Sequence, residues 1–302
     1  YPTEILIIDG SPDDETKFFL EQTEYQNLKY YKVPDHERGL TKQRNYGIAR
    51  VEEQAQIICF LDDDTILDSN YFYNIIQTYK TYPQALGVGG YITNEVSWTL
   101  QNANEIQSSK YFYFDGYKRL DPTRFKLRKK LGLDANVSPG FTPMYSHGRS
   151  VGFLPPSDKT YQVEQLMGGV SSFKKEVFNT LQFSTYFQGY GLYEDADFTI
   201  RLAKLGSLYL NTAAKLEHHH DAAGRPNKYS YGKMVVRNGW YVWRVKNPTP
   251  KLKDRLKWNA ITLLLMTIRA TNTINSNKKK EAFTETMGRF SGWLSLIFSA
   301  PK

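Results

Sequence analysis

Apolar runs that end in acids alternate along this chain with stretches of helical period. Ile57-Ile58-Cys59-Phe60-Leu61 passes without a break into Asp62-Asp63-Asp64. A short apolar run with β-branched and aromatic members and no helical period predicts a buried strand of a parallel sheet. Glu4 to Ile8 repeats the pattern and ends in Asp9-Gly10-Ser11, a strand followed by a turn. Asp13, Asp14 and Glu15 then open a helix through Phe18, Phe19 and Leu20, since acids suit a first helical turn. Leu28 to Val33 reads as a short strand, and Thr41 as the N-cap of a helix carrying Ile48, Ala49 and Val51. Phe72, Ile75, Ile76 and Tyr79 predict a helix over residues 71–82, and Leu86 to Ile92 a glycine-interrupted strand. Val163 to Phe173 reads as a strand containing Gly168 and Gly169, with a helix begun near Lys174. Phe198, Leu202 and Leu205 predict a helix from Asp195 to Gly206. Residues 208–210 and 216–221 read as two short strands, the second holding His218-His219-His220. Beyond Pro248 and Pro250 stand two amphipathic helices. One carries Leu256, Ile261, Leu264, Leu265 and Ile268, the other Phe283, Met287, Phe290, Trp293, Leu294 and Ile297. Residues 93–162 are aromatic-rich and irregular; a long stretch of this kind points to function, here binding of an acceptor.

The alternation predicts an α/β protein of residues 1–247 followed by a basic helical tail of residues 248–302. At 302 residues, 23% charged and 40% hydrophobic, the chain suits a folded domain with an appendage. From Lys251 to Lys302 ten Lys/Arg face three Asp/Glu, so the tail holds seven of the eight net positive charges. The body is close to neutral, which gives no ground for nucleic acid binding. Cys59 is the single cysteine and forms no internal disulfide. With no signal peptide at the start, this fits a reducing, cytoplasmic compartment. The longest apolar run near the C-terminus is Leu263 to Met266, too short to span a bilayer.

Three carboxylates at the carboxyl end of a strand lie where α/β sheets bind ligands. Asp62, Asp63 and Asp64 repel one another unless a cation shares them, and oxygen ligands suit Mg²⁺ or Mn²⁺ holding a phosphate-bearing substrate. The same residues also serve as a solvated acidic turn before a helix that Asp68 or Ser69 would cap. An EF-hand loop is a poor fit, because Ile66 and Leu67 stand where a ligand and the turn glycine belong. Lys42 and Arg44 near a helix N-terminus hint at an anion, or are simply solvated. Glu194 and Asp195 open a helix, which the helix dipole alone would favour. If residues 216–221 are extended, His218 and His220 share a face and His219 points away. Three histidines beside an acid suit a metal, although they lack a zincin spacing.

In order, the chain shows Asp9-Gly10-Ser11, Gly39 to Asn45 with its Arg-Asn, and Asp62-Asp63-Asp64. Gly168-Gly169 to Phe173, Glu194-Asp195-Ala196-Asp197-Phe198 to Leu202, and His218 follow. This set resembles the inverting family 2 glycosyltransferases of the GT-A fold, from about Glu4 to His220. The resemblance implies a Rossmann-like mixed sheet flanked by helices and a nucleotide-sugar donor. It implies that Asp9 contacts the base, and that Arg44, Asp63, Gly168 and Gly169 lie in the donor site. Asp62 would face ribose and metal, with Asp64 on the metal and His218, or His220 on the same face, as a later ligand. Asp195 would be the catalytic base, with Glu194 beside it. The ion would be Mn²⁺ or Mg²⁺ and the acceptor a saccharide or a lipid-linked saccharide. The tail, with Arg237-Asn238 before it, resembles membrane-associated bacterial members that build surface polysaccharides, implying peripheral contact with the inner face of the membrane. The family's first strand has no counterpart, so the chain is expected to begin at the second. Nucleotidyl transfer to a sugar phosphate is a competing reading, without the Gly-rich basic loop such enzymes carry. A non-catalytic carbohydrate-binding module is another, and it leaves Asp62 to Asp64 and Glu194-Asp195 unexplained.

Overall fold

The computed structural model describes residues 2–219, 226–275 and 277–301. β1 (Ile5–Asp9), α1 (Glu15–Glu21) and β2 (Leu28–Lys32) come first, and β1 and β2 pair in parallel as a two-stranded sheet. α2 (Leu40–Ile48) starts one residue before Thr41, because Gly39 at φ +116° takes the N-cap position. β3 (Ile57–Leu61), β4 (Thr65–Leu67), α3 (Tyr71–Thr81) and β5 (Ala85–Ile92) follow. β6 (Thr99–Leu100), β7 (Tyr111–Phe114) and β8 (Tyr117–Leu120) make a small antiparallel sheet, and α4 (Thr123–Lys130) leaves it. β9 (Thr160–Val163), β10 (Val170–Lys174), α5 (Glu194–Leu202) and β11 (Ser207–His218) complete the body. The main sheet is mixed and six-stranded, in the order β3-β10-β5-β11-β4, with β9 also on β11. α6 (Lys228–Lys246), α7 (Leu252–Asn275) and α8 (Lys279–Ser299) form the C-terminal helical region. The expected mixed sheet flanked by helices, with a helical C-terminal region, is what the chain forms.

Four local expectations change. β3 pairs with β10 alone among the described residues, and antiparallel. It therefore sits at an edge, with Ile58 buried and Leu61 exposed, instead of inside a parallel sheet. The two short strands expected near residues 208–221 are one strand, because Leu208, Leu210, Ala214 and Leu216 continue a single buried face across β11. The Val163–Phe173 strand is two, β9 and β10, and the glycine pair lies in the turn between them. A 3-10 segment, Lys175–Asn179, stands where a helix was expected after Lys174.

The sheet is covered on both faces. α5 packs Phe198 and Leu202 onto Phe173 and Leu208, and Phe198 stacks on Phe183 at 4.3 Å. α3 brings Tyr71, Ile75 and Tyr79 onto Val88, Tyr209 and Leu216, leaving Ile76 exposed. Residues 93–162, which showed little pattern, hold the small sheet, α4 and long loops. There Arg149 lies over the rings of Phe112 and Phe125. In the C-terminal region α6 crosses α8 at glycines. A Cβ on Gly292 would come within 3.0 Å of the Lys233 carbonyl, and one on Gly232 or Gly288 would overlap facing backbone.

Candidate functional site

β3 ends at Leu61 and the chain turns through the three aspartates into β4. Thr65 closes the turn, its Oγ1 donating to the Asp62 carbonyl at 2.8 Å. The Asp62 amide donates to the Gly169 carbonyl at 3.1 Å, and the His219 amide to the Asp64 carbonyl at 2.8 Å. One side of the turn is thus fastened to the glycine turn before β10, the other to the end of β11. The β4–β11 register sets His218 opposite Thr65. There His218 Nε2 lies 3.0 Å from Asp64 Oδ1, and its Nδ1 lies 3.1 Å from Glu95 Oε1. Asn94 holds the His218 backbone from both sides, accepting its N–H and donating to its C=O at 3.0 Å each.

Asp62, Asp64 and His218 offer ligand atoms within 4.8 Å of one another, a group that could hold a metal ion. Adjacent ligands bound at about 2.1 Å in octahedral geometry stand about 3 Å apart, which matches the His218–Asp64 separation. A proton on Nδ1, donated to Glu95, leaves the Nε2 lone pair for an ion, the usual support of a ligating histidine. Burial pushes the Asp62 carboxyl above its ordinary value, Arg44 opposes this, and Asp64 adds to it. A cation between the two carboxylates would relieve that strain. Asp63 is exposed and stands apart from the group. His219 turns away toward Glu217, at 3.0 Å, and His220 lies outside the described residues.

Gly168 and Gly169 are glycines because charged groups crowd their turn. A Cβ on Gly168 would fall 2.6 Å from Glu194 Oε1 and 2.7 Å from Arg44 Nη1, and one on Gly169 would overlap the Asp62 carboxylate. Arg44 reaches this point from α2. It is ion-paired with Glu194, stands 3.7 Å from Asp62 Oδ1, and lies over the Phe183 ring at 5.3 Å. Lys42, the other basic residue of that helix start, instead donates to the His36 carbonyl at 2.6 Å. Glu194 and Asp195 form the first turn of α5. Asp195 Oδ2 accepts the Gly168 amide at 3.2 Å and Oδ1 the Ala196 amide at 2.7 Å. Burial pushes Asp195 up, and it pushes Glu194 up to about 8 against the pull of Arg44. Glu194 Oε2 is buried with no hydrogen-bond partner. The loop before α5 holds Gly189, Gly191 and Tyr193 at positive φ; for Tyr193, at +71°, this costs about 1–2 kcal/mol.

Asp9, at the end of β1, is nearly buried. It accepts the Ser11 amide and the Tyr30 hydroxyl at 2.7 Å each, with Lys32 at 3.6 Å. Burial raises its pKa, but these partners outweigh that and hold it below the ordinary carboxylate value. The structure thus gathers Arg44, Asp62, Asp64, Gly168, Gly169, Glu194, Asp195 and His218 around the ends of β3, β11 and the glycine turn. Asp9 stands at the end of the separate β1–β2 sheet. Glu95, Asn94, Tyr30 and Tyr193 escaped the sequence reading. The signal for Glu95 and Asn94 was their place just past the end of β5, beside the strand that carries His218.

Residues 1–143 match a family model described as Glycosyl transferase family 2. That stretch contains Asp9, Arg44 and Asp62 to Asp64, and not the glycine turn, α5 or His218. No curated protein matches the chain. Among solved structures it is similar to the crystal structure of GalNAc-T7 with UDP, GalNAc and Mn²⁺, at 13% identity and a TM-score of 0.49. That similarity covers 99% of this chain and 52% of the other, so this chain spans about half the length of that one. It is also similar to S. aureus TarS 1–349, at 10% identity and a TM-score of 0.42, over 98% of this chain and 84% of the other.

Proposed function

We propose that this chain is a glycosyltransferase that moves a hexosyl or related sugar from a nucleoside-diphosphate sugar to an acceptor hydroxyl, with inversion. One observation carries the reading. Asp62 of the Asp62–Asp64–His218 group and the Asp195–Glu194 pair stand against the same two-glycine turn, which supports reading the first as a cation site and the second as the base beside it. The family model over residues 1–143 supports it for the first half of the site. Asp62, Asp64 and His218 would hold Mn²⁺ or Mg²⁺, which when bound neutralises charge developing on the diphosphate. Asp9, Arg44, Asp63 and the glycine turn would line the donor. Asp195 takes the acceptor proton, since a carboxylate pushed up by burial is a better base than an exposed one. Attack in line with the departing diphosphate inverts the anomeric carbon. Glu194, paired with Arg44, holds the guanidinium against the turn.

The test is a panel of nucleotide sugars with Mn²⁺ or Mg²⁺ and a saccharide acceptor. Metal-dependent release of nucleoside diphosphate is expected. Pyrophosphate would instead show nucleotidyl transfer, and no product with bound sugar would show a binding module. Asp64→Asn should abolish metal-dependent nucleotide binding while the protein stays folded; unchanged affinity by calorimetry removes Asp64 from the metal.

The reading extends to the tail, residues 248–302, as a peripheral contact with the cytoplasmic face of a membrane during surface-polysaccharide synthesis. No described helix is long and apolar enough to cross a membrane. α8 nevertheless exposes Phe283, Met287, Phe290, Leu294, Ile297 and Phe298 along one side. Trp293, expected to join them, faces inward, its Nε1 donating to Asn259 at 2.9 Å. Exposed Leu252 and Leu256 stand among Lys251, Lys253 and Arg255. Each basic residue near an anionic surface contributes about 1 kcal/mol. Liposome co-sedimentation should require anionic lipid, weaken with salt and vanish without the tail; binding that survives tail removal places the contact elsewhere.

A further inference from the structure

Exposed apolar side chains gather at one end of the molecule. α7 and α8 run antiparallel, since Trp293 Nε1 donates to Asn259 at 2.9 Å and Arg269 Nη2 stands 2.8 Å from Glu285 Oε2. The end of α8 therefore comes beside the start of α7. Arg237 of α6 fixes it there, its Nη1 donating to Ser295 Oγ at 2.6 Å and its Nη2 to the Ser299 carbonyl at 2.9 Å. From the body, α4 packs against α7. Arg128 Nη1, in the last turn of α4, donates to the His147 carbonyl at 3.0 Å. Beside it Lys257 Nζ of α7 lies 4.3 Å from the centre of the Tyr145 ring, and the Tyr145 hydroxyl donates to the Asp134 carbonyl in the loop that leaves α4. Trp243 Nε1 and Asn247 Nδ2 both donate to the Met144 carbonyl at 2.9 Å, which ties the same loop to the connection between α6 and α7. Leu131, Met144, Leu252, Leu256, Ile297 and Phe298 are thus brought to one end, from 49% exposed for Met144 to 88% for Phe298.

A single exposed leucine is ordinary on a protein surface; large apolar side chains gathered from several elements mark a contact. The rim of this group is cationic. Lys129 and Lys130 close α4, where the helix dipole favours them. Lys251, Lys253 and Arg255 stand at the start of α7, where the dipole opposes cations and Asp254 is the one acid. All five are exposed, and none has a carboxylate within ion-pair distance among the described residues. Arg244 joins them, its guanidinium donating to the Pro248 carbonyl. Cations held at a helix N-terminus without carboxylates attract an anionic surface placed against them. The far end of the same helices is built differently. There Glu281 lies 3.4 Å from Lys228 and 3.9 Å from Lys278, and Glu285 takes both Arg269 and Arg289.

We propose that this end of the molecule is a membrane-docking surface shared by the body and the tail, and that its partner is an anionic bilayer. Leu131, Leu256 and Phe298 enter the interface, and Lys129, Lys130, Lys253 and Arg255 meet the lipid headgroups. Membrane attachment as such rests on the reading of residues 248–302 given above. The fold adds that α4 of the body belongs to the contact and that the Phe283 end of α8 does not. A tail alone would tether the domain and leave it free to turn. A surface built from α4, the start of α7 and the end of α8 holds the domain in one orientation on the bilayer.

The experiment sediments the full chain with vesicles of phosphatidylcholine, alone and mixed with phosphatidylglycerol. Binding to the mixed vesicles only is expected. Lys129→Gln combined with Lys130→Gln should weaken it about 25-fold, about fivefold for each charge. Leu131→Ser and Phe298→Ser should each weaken it about tenfold, since an apolar side chain no longer enters the interface. Phe283→Ser, at the far end of α8, should bind as the wild type does. Every substituted side chain is exposed, and thermal melting checks that each variant is folded. Wild-type affinity in the lysine pair or in Leu131→Ser overturns the proposal and leaves the tail contact standing. A loss in Phe283→Ser moves the contact to the other end and overturns it as well. No binding by the wild-type chain removes both the proposal and the membrane reading of the tail. Sedimentation velocity without vesicles should show a monomer; a dimer that Phe298→Ser dissociates gives the surface to a second copy of the chain and overturns the proposal.

Discussion

Glu95 offers the sharpest test of the metal reading, because it touches the imidazole and not the ion. Its Oε1 stands 3.1 Å from Nδ1 of His218, whose side chain is 12% exposed. Glu95→Gln keeps an acceptor oxygen and loses the charge. A hydrogen bond to a charged group contributes about 1.5–3 kcal/mol and a neutral one about 0.5–1.5, so the difference is about 1 kcal/mol, or about fivefold in Mn²⁺ affinity. Glu95→Ala removes this anchor of the ring altogether, and loss of such a support weakens metal binding about 10–100-fold. Calorimetric titration with Mn²⁺ alone should therefore rank wild type above Glu95→Gln above Glu95→Ala. Thermal melting checks that all three are folded. The Mn²⁺ concentration giving half-maximal nucleoside diphosphate release should move in the same order. Wild-type Mn²⁺ affinity in Glu95→Ala, or a Gln variant weaker than the Ala variant, would refute the argument that Glu95 orients a ligating His218.

Asp195→Asn should leave donor affinity nearly intact and lower turnover about 10²–10⁴-fold, the scale of a lost general base; an equal loss of donor affinity makes Asp195 a binding residue. Gly169→Ala should displace the Asp62 carboxylate and cost about 1–3 kcal/mol as overpacking, seen as a lower melting temperature with weaker Mn²⁺ binding; a variant with neither change disproves the crowding. Tyr30→Phe removes a hydrogen bond to Asp9 and should cost about 1–2 kcal/mol near neutral pH. Because Asp9 is held below its ordinary value, the unfolded chain takes up the proton first. Its contribution is complete above about pH 5 and falls as pH drops through the native value, so the wild-type advantage should shrink in acid unfolding. An advantage constant down to pH 2 would show that Asp9 is not the partner that matters. Cys59, its thiol pushed up to about 12 by burial, should resist alkylation at pH 8 until the protein unfolds, and fast labelling of the native protein would contradict this.

The sequence by itself determined the strands that end in acids, the helix that begins at the Glu194-Asp195 pair and the amphipathic tail. Those features are local: apolar period, turn residues and charge at helix ends act over a few residues. Asp62, Asp64, Asp195 and His218 were also legible from residue type and order as candidate ligands and a candidate base, and the structure brings them to one place. The sequence placed the glycine pair inside a strand, because nothing near Gly168 in the chain announces that Asp62, Arg44 and Glu194 lie against it. The direction of β3 was decided the same way. Five apolar residues look alike in either sense, and pairing with β10 comes from a turn more than a hundred residues on. Glu95, 123 residues from His218 in sequence, was likewise invisible, as it meets the imidazole only because β5 and β11 run side by side. The unpaired arginines of β8 and α4 belong wholly to the tertiary structure. Arg119, Arg124 and Arg128 are left without a carboxylate only once Arg149 has claimed Asp121 and Asp134. Short-range pattern fixes which groups a protein owns; long-range packing decides which of them are left unneutralised, and where.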